Sequence, residues 1–267
     1  MADHQKYDNL PTIQIQIFTK YTLSQYYKKV KPKSEKGENI LDILEPGCNF
    51  SHSCPLCGQP DCAQFIGYYY RPAVDEKGRF YKDFPVARFL LHCNDDALIG
   101  KHKTFSLLHY HLIPYIRYSI PFLIKVMESR HIDKKPLQAL CDYISEFTAT
   151  GPVGTDYECI EISPSGILSF EPLIEEAINK IITSQYYQTV RQQWQKSFDS
   201  NSETIGIKNF LEFCSQFECF KTNPPIRGPT ALSYDFYITA GAYKRNSYFL
   251  FGTPSQFRVS LHKRDKA

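Results

Sequence analysis

The sequence predicts an α+β fold, sheet first and helices after. Aromatic strand-like runs crowd the stretch after Cys48, helical spacing of apolar residues takes over at Tyr118, and aromatic runs return near the end. Three segments follow: 1–47 as an N-terminal strand and a Lys-rich linker, 48–117 as a small β domain, and 118–267 as a mainly helical domain with a C-terminal β-hairpin. At 267 residues, with 42% hydrophobic and 22% charged residues, the chain has the composition of a globular protein of about two domains. A net charge of +3 does not by itself announce a nucleic-acid binder, so any such claim rests on local patches.

The first segment pairs the alternating Ile13, Ile15 and Ile17 with YYKKVKPKSEKGEN, Tyr26 to Asn39, read as a short strand and an exposed linker. The N-terminus has no basic start, apolar run and small-residue cleavage site, and no stretch approaches the length of a membrane span. A soluble, cytoplasmic protein without membrane partners is expected.

From Cys48 the composition shifts to Cys, Gly, Pro and aromatics. Strand-like Phe65–Arg71 and Phe84–Leu91 flank the turn-forming PAVDEKG, which predicts a hairpin. Helical stripes follow: Ile120, Leu123, Ile124 and Met127; then Leu137, Leu140, Cys141, Ile144 and Phe147 behind Asp133 as N-cap. TATGPVGTDYECIEISPSG reads as a loop with one short strand. Phe170, Leu173, Ile174, Ala177, Ile178, Ile181 and Ile182 then mark a helix N-capped by Ser169 and running toward Trp194. Ile207, Phe210, Leu211, Cys214 and Phe217 mark another, and YDFYITAGAYKRNSYFLFG closes the chain as two aromatic strands around a basic turn.

Nine cysteines are an odd number for a disulfide framework, and Cys48, His52, Cys54, Cys57 and Cys62 crowd into one stretch, which favours metal in a reducing compartment. Cys54-Pro-Leu-Cys57-Gly is a zinc knuckle in form, because two thiolates two residues apart can grip one ion from a tight turn. A structural zinc needs four ligands. The hairpin returns the chain at His92-Cys93 and then His102, so Cys54, Cys57, Cys93 and His102 make a Cys3His zinc site in a small zinc ribbon. Cys62, His92, His52 and Cys48 stay open as rivals for its last positions. The bland alternative is a set of ordinary reduced cysteines; a redox CxxC should open a helix after a βαβ pattern, which this one does not.

The ordered series CPLCG, GYYYR, FPVARF, HC, KTFSLL and LIPYIRYSI resembles the N-terminal zinc-ribbon segment of bacterial transposases and transposon-associated proteins. There a cysteine knuckle, a GxYxR strand, an RxRC strand and a C-x-x-TFSLLP turn precede a PYRRYS stretch and a helical bundle. The likeness runs from about Cys54 to Met127. Cys54, Cys57 and Cys93 match three ligands of that ribbon; Gly67, Tyr69 and Arg71 match its first strand. Thr104, Phe105 and Ser106 match the turn, and Pro114, Tyr115, Arg117 and Tyr118 the basic aromatic segment. The family's fourth cysteine falls at Lys101, and NDDALIG lengthens the spacing after Cys93, which leaves the fourth ligand in doubt.

Arg71, Arg88, Lys101, Lys103 and Arg117 alternate with Tyr69, Tyr70, Phe105, Tyr110 and Tyr115, supplying charges for phosphates and rings for stacking. Helices at about 119–130 and 134–147, with the ISPSG loop and the helix from Phe170, suggest a helix-turn-helix, although Glu171, Glu175 and Glu176 would repel phosphate. No catalytic residue is assigned: Asp156, Glu158, Glu161 and Asp235 supply acids but no recognisable two-metal site, and neither His109-Tyr110-His111 nor Ser163 and Ser165 has a supporting base. The expected function is a zinc-dependent DNA-binding regulator or accessory factor of a mobile element. The rivals are a protein-interaction module that docks a partner through the C-terminal helices, and a divergent nuclease remnant.

Overall fold

Six of the strands in a computed structural model of the chain form one mixed sheet in its first half. The structure describes residues 12–44, 62–92, 104–149, 157–158, 161–183, 206–219, 226–229, 231–233 and 250–251. The strands are β1 (Thr12–Ile17), β2 (Ala63–Val74), β3 (Phe80–Leu91), β4 (Thr104–His109), β5 (Leu112–Ile113) and β6 (Ile116–Ser119), arranged β1-β4-β3-β2-β6-β5. β1 runs parallel to β4 and β6 parallel to β2; the other neighbours are antiparallel. A two-residue β7 (Tyr157–Glu158) pairs with β3.

This sheet replaces the expected small zinc ribbon. The hairpin of Phe65–Arg71 and Phe84–Leu91 does form, but as the middle of two 12-residue strands with neighbours on both sides. A ribbon relies on its metal because its own core is too small. Here β1, β3 and β4 contribute Ile15, Ile17, Ala87, Phe89, Phe105 and Leu107 to one buried cluster, all under a tenth exposed, so the strands hold together by burial.

The linker expected between Tyr26 and Asn39 is instead part of helix α1 (Leu23–Lys36). Its buried residues Leu23, Tyr26, Tyr27, Val30 and Ser34 fall at i, i+3, i+4, i+7 and i+11, a helical stripe. Thr22 opens it with a capping box: its hydroxyl accepts the Gln25 N–H at 3.3 Å while the Gln25 side chain accepts the Thr22 N–H at 3.0 Å. Gly37, at φ 68°, closes it in the left-handed conformation a non-glycine residue resists. Pro32 interrupts the backbone ladder, but it sits on the exposed face, where water can take the freed carbonyl.

α1 lies on the apolar face of the sheet, with the Tyr26 ring 5.1 Å from His109 and 6.2 Å from Phe84. Against the opposite face the β5–β6 hairpin is drawn in from two sides. The Gln16 side-chain amide on β1 donates to the carbonyls of Tyr110 (3.3 Å) and Leu112 (3.2 Å). From β2, Arg71 donates to the carbonyls of Ile113 (3.2 Å) and Ile116. The sheet is thereby curled into a nearly closed, barrel-like form, which leaves little open edge for pairing with another chain.

The helices follow: α2 (Ile120–His131), α3 (Leu137–Ala149), α4 (Pro164–Leu168), α5 (Glu171–Thr183) and α6 (Ile207–Gln216), with a small hairpin of β8 (Glu218–Cys219) and β9 (Ile226–Arg227). Their apolar stripes form a second core, which takes in Val74, Ile113 and Tyr118 from the sheet. ISPSG is not a loop: Ser163 caps the short α4, its hydroxyl accepting the Gly166 N–H at 3.2 Å. Ser169 ends α4 rather than capping α5. The run of α5 beyond Thr183 toward Trp194, and the expected C-terminal hairpin apart from buried Leu250 and Phe251, lie outside the described residues.

Candidate functional site

Cys54, Cys57, Cys93 and His102, the expected zinc ligands, all lie outside the described residues, as do Cys48, His52, Lys101 and Lys103. Their attachment points are described, and they meet at one end of the sheet. Ala63 pairs with Leu91 across β2 and β3, Leu90 pairs with Thr104 across β3 and β4, and the His92 N–H donates to the Cys62 carbonyl at 2.8 Å. The residue before β2, the residue after β3 and the first residue of β4 are therefore close neighbours. Cys62 is half-buried against the sheet core; exposed His92 has its ring Nε2 3.1 Å from Gln64 Oε1. Among the described residues no three metal-binding side chains cluster.

Of the arginines expected to contact nucleic acid, Arg71 and Arg88 point inward. Arg71 holds the β5–β6 hairpin by its carbonyls. Arg88 is only 8% exposed, and its Nη2 donates to Thr104 Oγ1 at 3.4 Å. Arg117 is exposed, its guanidinium 4.8 Å from the Tyr118 ring centroid and bonded to the Tyr118 hydroxyl at 2.6 Å. Glu171, the acid that argued against a recognition helix, accepts from Arg130 at 2.6 Å and lies 3.1 Å from His131 Nε2, tying the start of α5 to the end of α2.

The basic surface that the structure does assemble is α1. Gln25, Lys28, Lys29, Pro32 and Lys36 are exposed at i, i+3, i+4, i+7 and i+11, a ridge opposite the buried stripe. Lys29 stands 4.8 Å from the Tyr21 ring centroid and Lys31 6.0 Å from that of Tyr70, which is 48% exposed. Among the described residues acids pair with the far end of the helix: Lys31 pairs with Glu35 at 3.6 Å, and Lys33 with Asp42 at 2.6 Å and Glu38 at 3.6 Å. The capping box Thr22-x-x-Gln25 and the terminal Gly37 were the sequence signals for this helix; its lysines and proline mask them.

Two buried polar groups organise the surroundings. Asp75, fully buried in the β2–β3 turn, accepts from the Lys77 and Arg79 N–H groups at 2.9 Å, from Arg79 Nε at 2.7 Å and from the Tyr81 hydroxyl at 2.9 Å. Burial nevertheless outweighs these donors and pushes its carboxyl above the usual range. His109, also fully buried, accepts the His111 N–H on Nδ1 at 3.2 Å and donates from Nε2 to the Tyr21 carbonyl at 3.0 Å, which fixes a neutral tautomer. Burial, with His111 adding to it, holds its ring well below the ordinary histidine range.

His109 thus pins the start of the basic helix to the sheet. No helix among the described residues is long and apolar enough to cross a membrane. No family model, no curated protein and no solved structure matches this chain.

Proposed function

We propose that this protein binds nucleic acid through the exposed ridge of α1, as an accessory or regulatory DNA-binding factor that also carries a zinc ion. The observation that carries the reading is the row Lys28, Lys29 and Lys36, held rigid by the helix and flanked by Tyr21 and Tyr70. Lys28 and Lys36 are separated by about 12 Å of helix axis, over which one strand of a duplex presents roughly three or four phosphates. An ordered helix presents its charges without the entropic cost of ordering a linker, so the ridge replaces Arg71 and Arg88 as the phosphate contact. The zinc reading rests on the convergence of Cys62, His92 and Thr104. Cys54 and Cys57 precede the first of these points and Cys93 and His102 lie between the other two, so zinc would tie the loop ends of three neighbouring strands.

The test is an electrophoretic mobility shift across a salt series with the intact protein. Each phosphate contact adds about 0.9 to the slope of log affinity against log salt on duplex DNA. Replacing Lys28, Lys29 and Lys36 together by Ala is expected to flatten the slope by up to about 2.7 and to weaken binding roughly a hundredfold near physiological salt. Unchanged slope and affinity in a folded triple variant would remove α1 as the contact surface, and no salt-dependent binding by the wild type would remove the function.

A further inference from the structure

Tyr70 departs from the burial of its strand. Tyr68 and Tyr70 stand two residues apart on β2, in unbroken register with Ala87 and Pro85 of β3, so both lie on the face of the sheet that carries α1. Tyr68 is 9% exposed, and its hydroxyl donates to the Glu38 carbonyl just past the end of α1 at 2.6 Å. Tyr70 has come out from beneath the helix: at 48% it is the most exposed large hydrophobic side chain among the described residues. A single exposed ring is ordinary on a protein surface, so its neighbours decide whether it means anything.

The Lys31 ammonium stands 6.0 Å from the Tyr70 ring centroid. Lys28, one turn earlier on the same side of α1, carries the positive charge onward to the exposed ridge. Lys31 also meets Glu35 at 3.6 Å, a partly exposed pair of little strength that a phosphate can replace. The other ring beside the ridge has a different role. Tyr21 packs against the sheet core and has Lys29 at 4.8 Å and Lys20 at 5.6 Å over it, so it serves as a mount for lysines. Tyr70 instead offers ring surface to solvent beside a charge that suits a phosphate.

We infer that Tyr70 is a stacking platform for an unpaired base, so that this surface takes single-stranded nucleic acid in preference to duplex. The inference rests on the α1 ridge as the phosphate contact and adds the part of the ligand that lysines do not read. In a duplex each base is stacked between its neighbours and paired, so a ring on the protein surface finds no base to stack on. In a single strand a base can turn out onto Tyr70 while the adjoining phosphates follow Lys31 and Lys28. Such stacking tolerates any sequence, because every base has a flat face.

The experiment is fluorescence anisotropy of the intact protein with labelled oligo(dT), oligo(rU) and a mixed-sequence duplex of equal length, at one salt concentration. At least one single strand should bind more tightly than the duplex, and the tighter of the two identifies the preferred sugar. Tyr70→Ala should weaken single-strand binding at least about fivefold and leave duplex affinity unchanged, whereas Tyr70→Phe keeps the ring and the affinity. An abasic strand of the same length keeps the phosphates and lacks the bases. The wild type should bind it at least about fivefold more weakly than oligo(dT), a comparison that needs no variant to fold. The Lys28, Lys29 and Lys36 triple variant should weaken binding of every ligand. A duplex bound as tightly as either single strand, single-strand affinity that survives Tyr70→Ala, or an abasic strand bound as well as oligo(dT) overturns the inference and leaves the ridge reading standing. Failure of every ligand to bind removes the ridge reading and this inference together.

Discussion

Asp75→Ala is expected to destabilise the protein by about 3 kcal/mol, because one buried carboxylate holds both a turn and an aromatic cluster. Arg79 loses its charge-assisted bonds, but its side chain is 20% exposed and regains water, so that loss is about 1.5–2 kcal/mol. The Tyr81 hydroxyl is fully buried and cannot reach solvent, although Ser24 stays beside it; its loss adds about 1–1.5 kcal/mol. The Lys77 and Arg79 N–H groups lie in the turn and can be hydrated. Tyr81 packs its ring 4.6 Å from Tyr27 of α1, so loosening it also loosens the helix. Urea denaturation of wild type, Asp75→Ala, Tyr81→Phe and the double variant measures the loss and the coupling, expected at about 1 kcal/mol. A loss below about 1 kcal/mol, or no coupling, would refute the assignment of Asp75 as the organising group.

His109 gives a pH dependence of known sign. Its folded-state value is depressed, so below the ordinary histidine range the unfolded chain binds more protons; stability is complete above about pH 6.5 and falls by up to about 1.4 kcal/mol per pH unit below it. Glu76, held below its usual range mainly by His111 against the opposing effect of burial, extends that loss below about pH 4.5, whereas Asp75 opposes it because burial favours its protonated form. His109→Gln should flatten the stability profile between about pH 6.5 and 5; an unchanged profile would exclude His109 as its source. On the zinc reading, native mass spectrometry finds one ion per chain and Cys54→Ser loses it, and comparison of His102→Ala with Cys62→Ser identifies the fourth ligand; a folded protein free of metal would end that reading. Gly37→Ala should cost about 1 kcal/mol by urea denaturation, since its positive φ is strained for alanine while no atom lies within 4 Å of the added methyl.

Strand alternation and helical period were legible wherever one face of an element is buried. Phe65–Arg71, Phe84–Leu91 and the stripe from Ile120 to Met127 read correctly because their burial is local to the element. The sheet's extent was not legible, since β1 pairs with β4 in parallel across a long sequence gap and no local pattern records that partner. α1 was hidden for a different reason: Tyr26, Tyr27 and Ser34 in its stripe are weak hydrophobic signals beside five lysines and a proline. Arg71 and Arg88 looked like surface charges because sequence gives no sign of whether a guanidinium meets solvent or a carbonyl inside the fold.

The parallel pairing of β1 with β4 also sets an order of events during synthesis. Thr12 meets Thr104 and Ile17 meets His109, so among the described residues the partner of this strand comes about 90 residues later, roughly 5–20 s at ordinary elongation rates. During that interval TIQIQI, uncharged, rich in isoleucine and free of proline or glycine, is the kind of segment that pairs with copies of itself. β1 is therefore open to misassembly during that interval, and the closing of β4 over β1 is the step that removes the hazard.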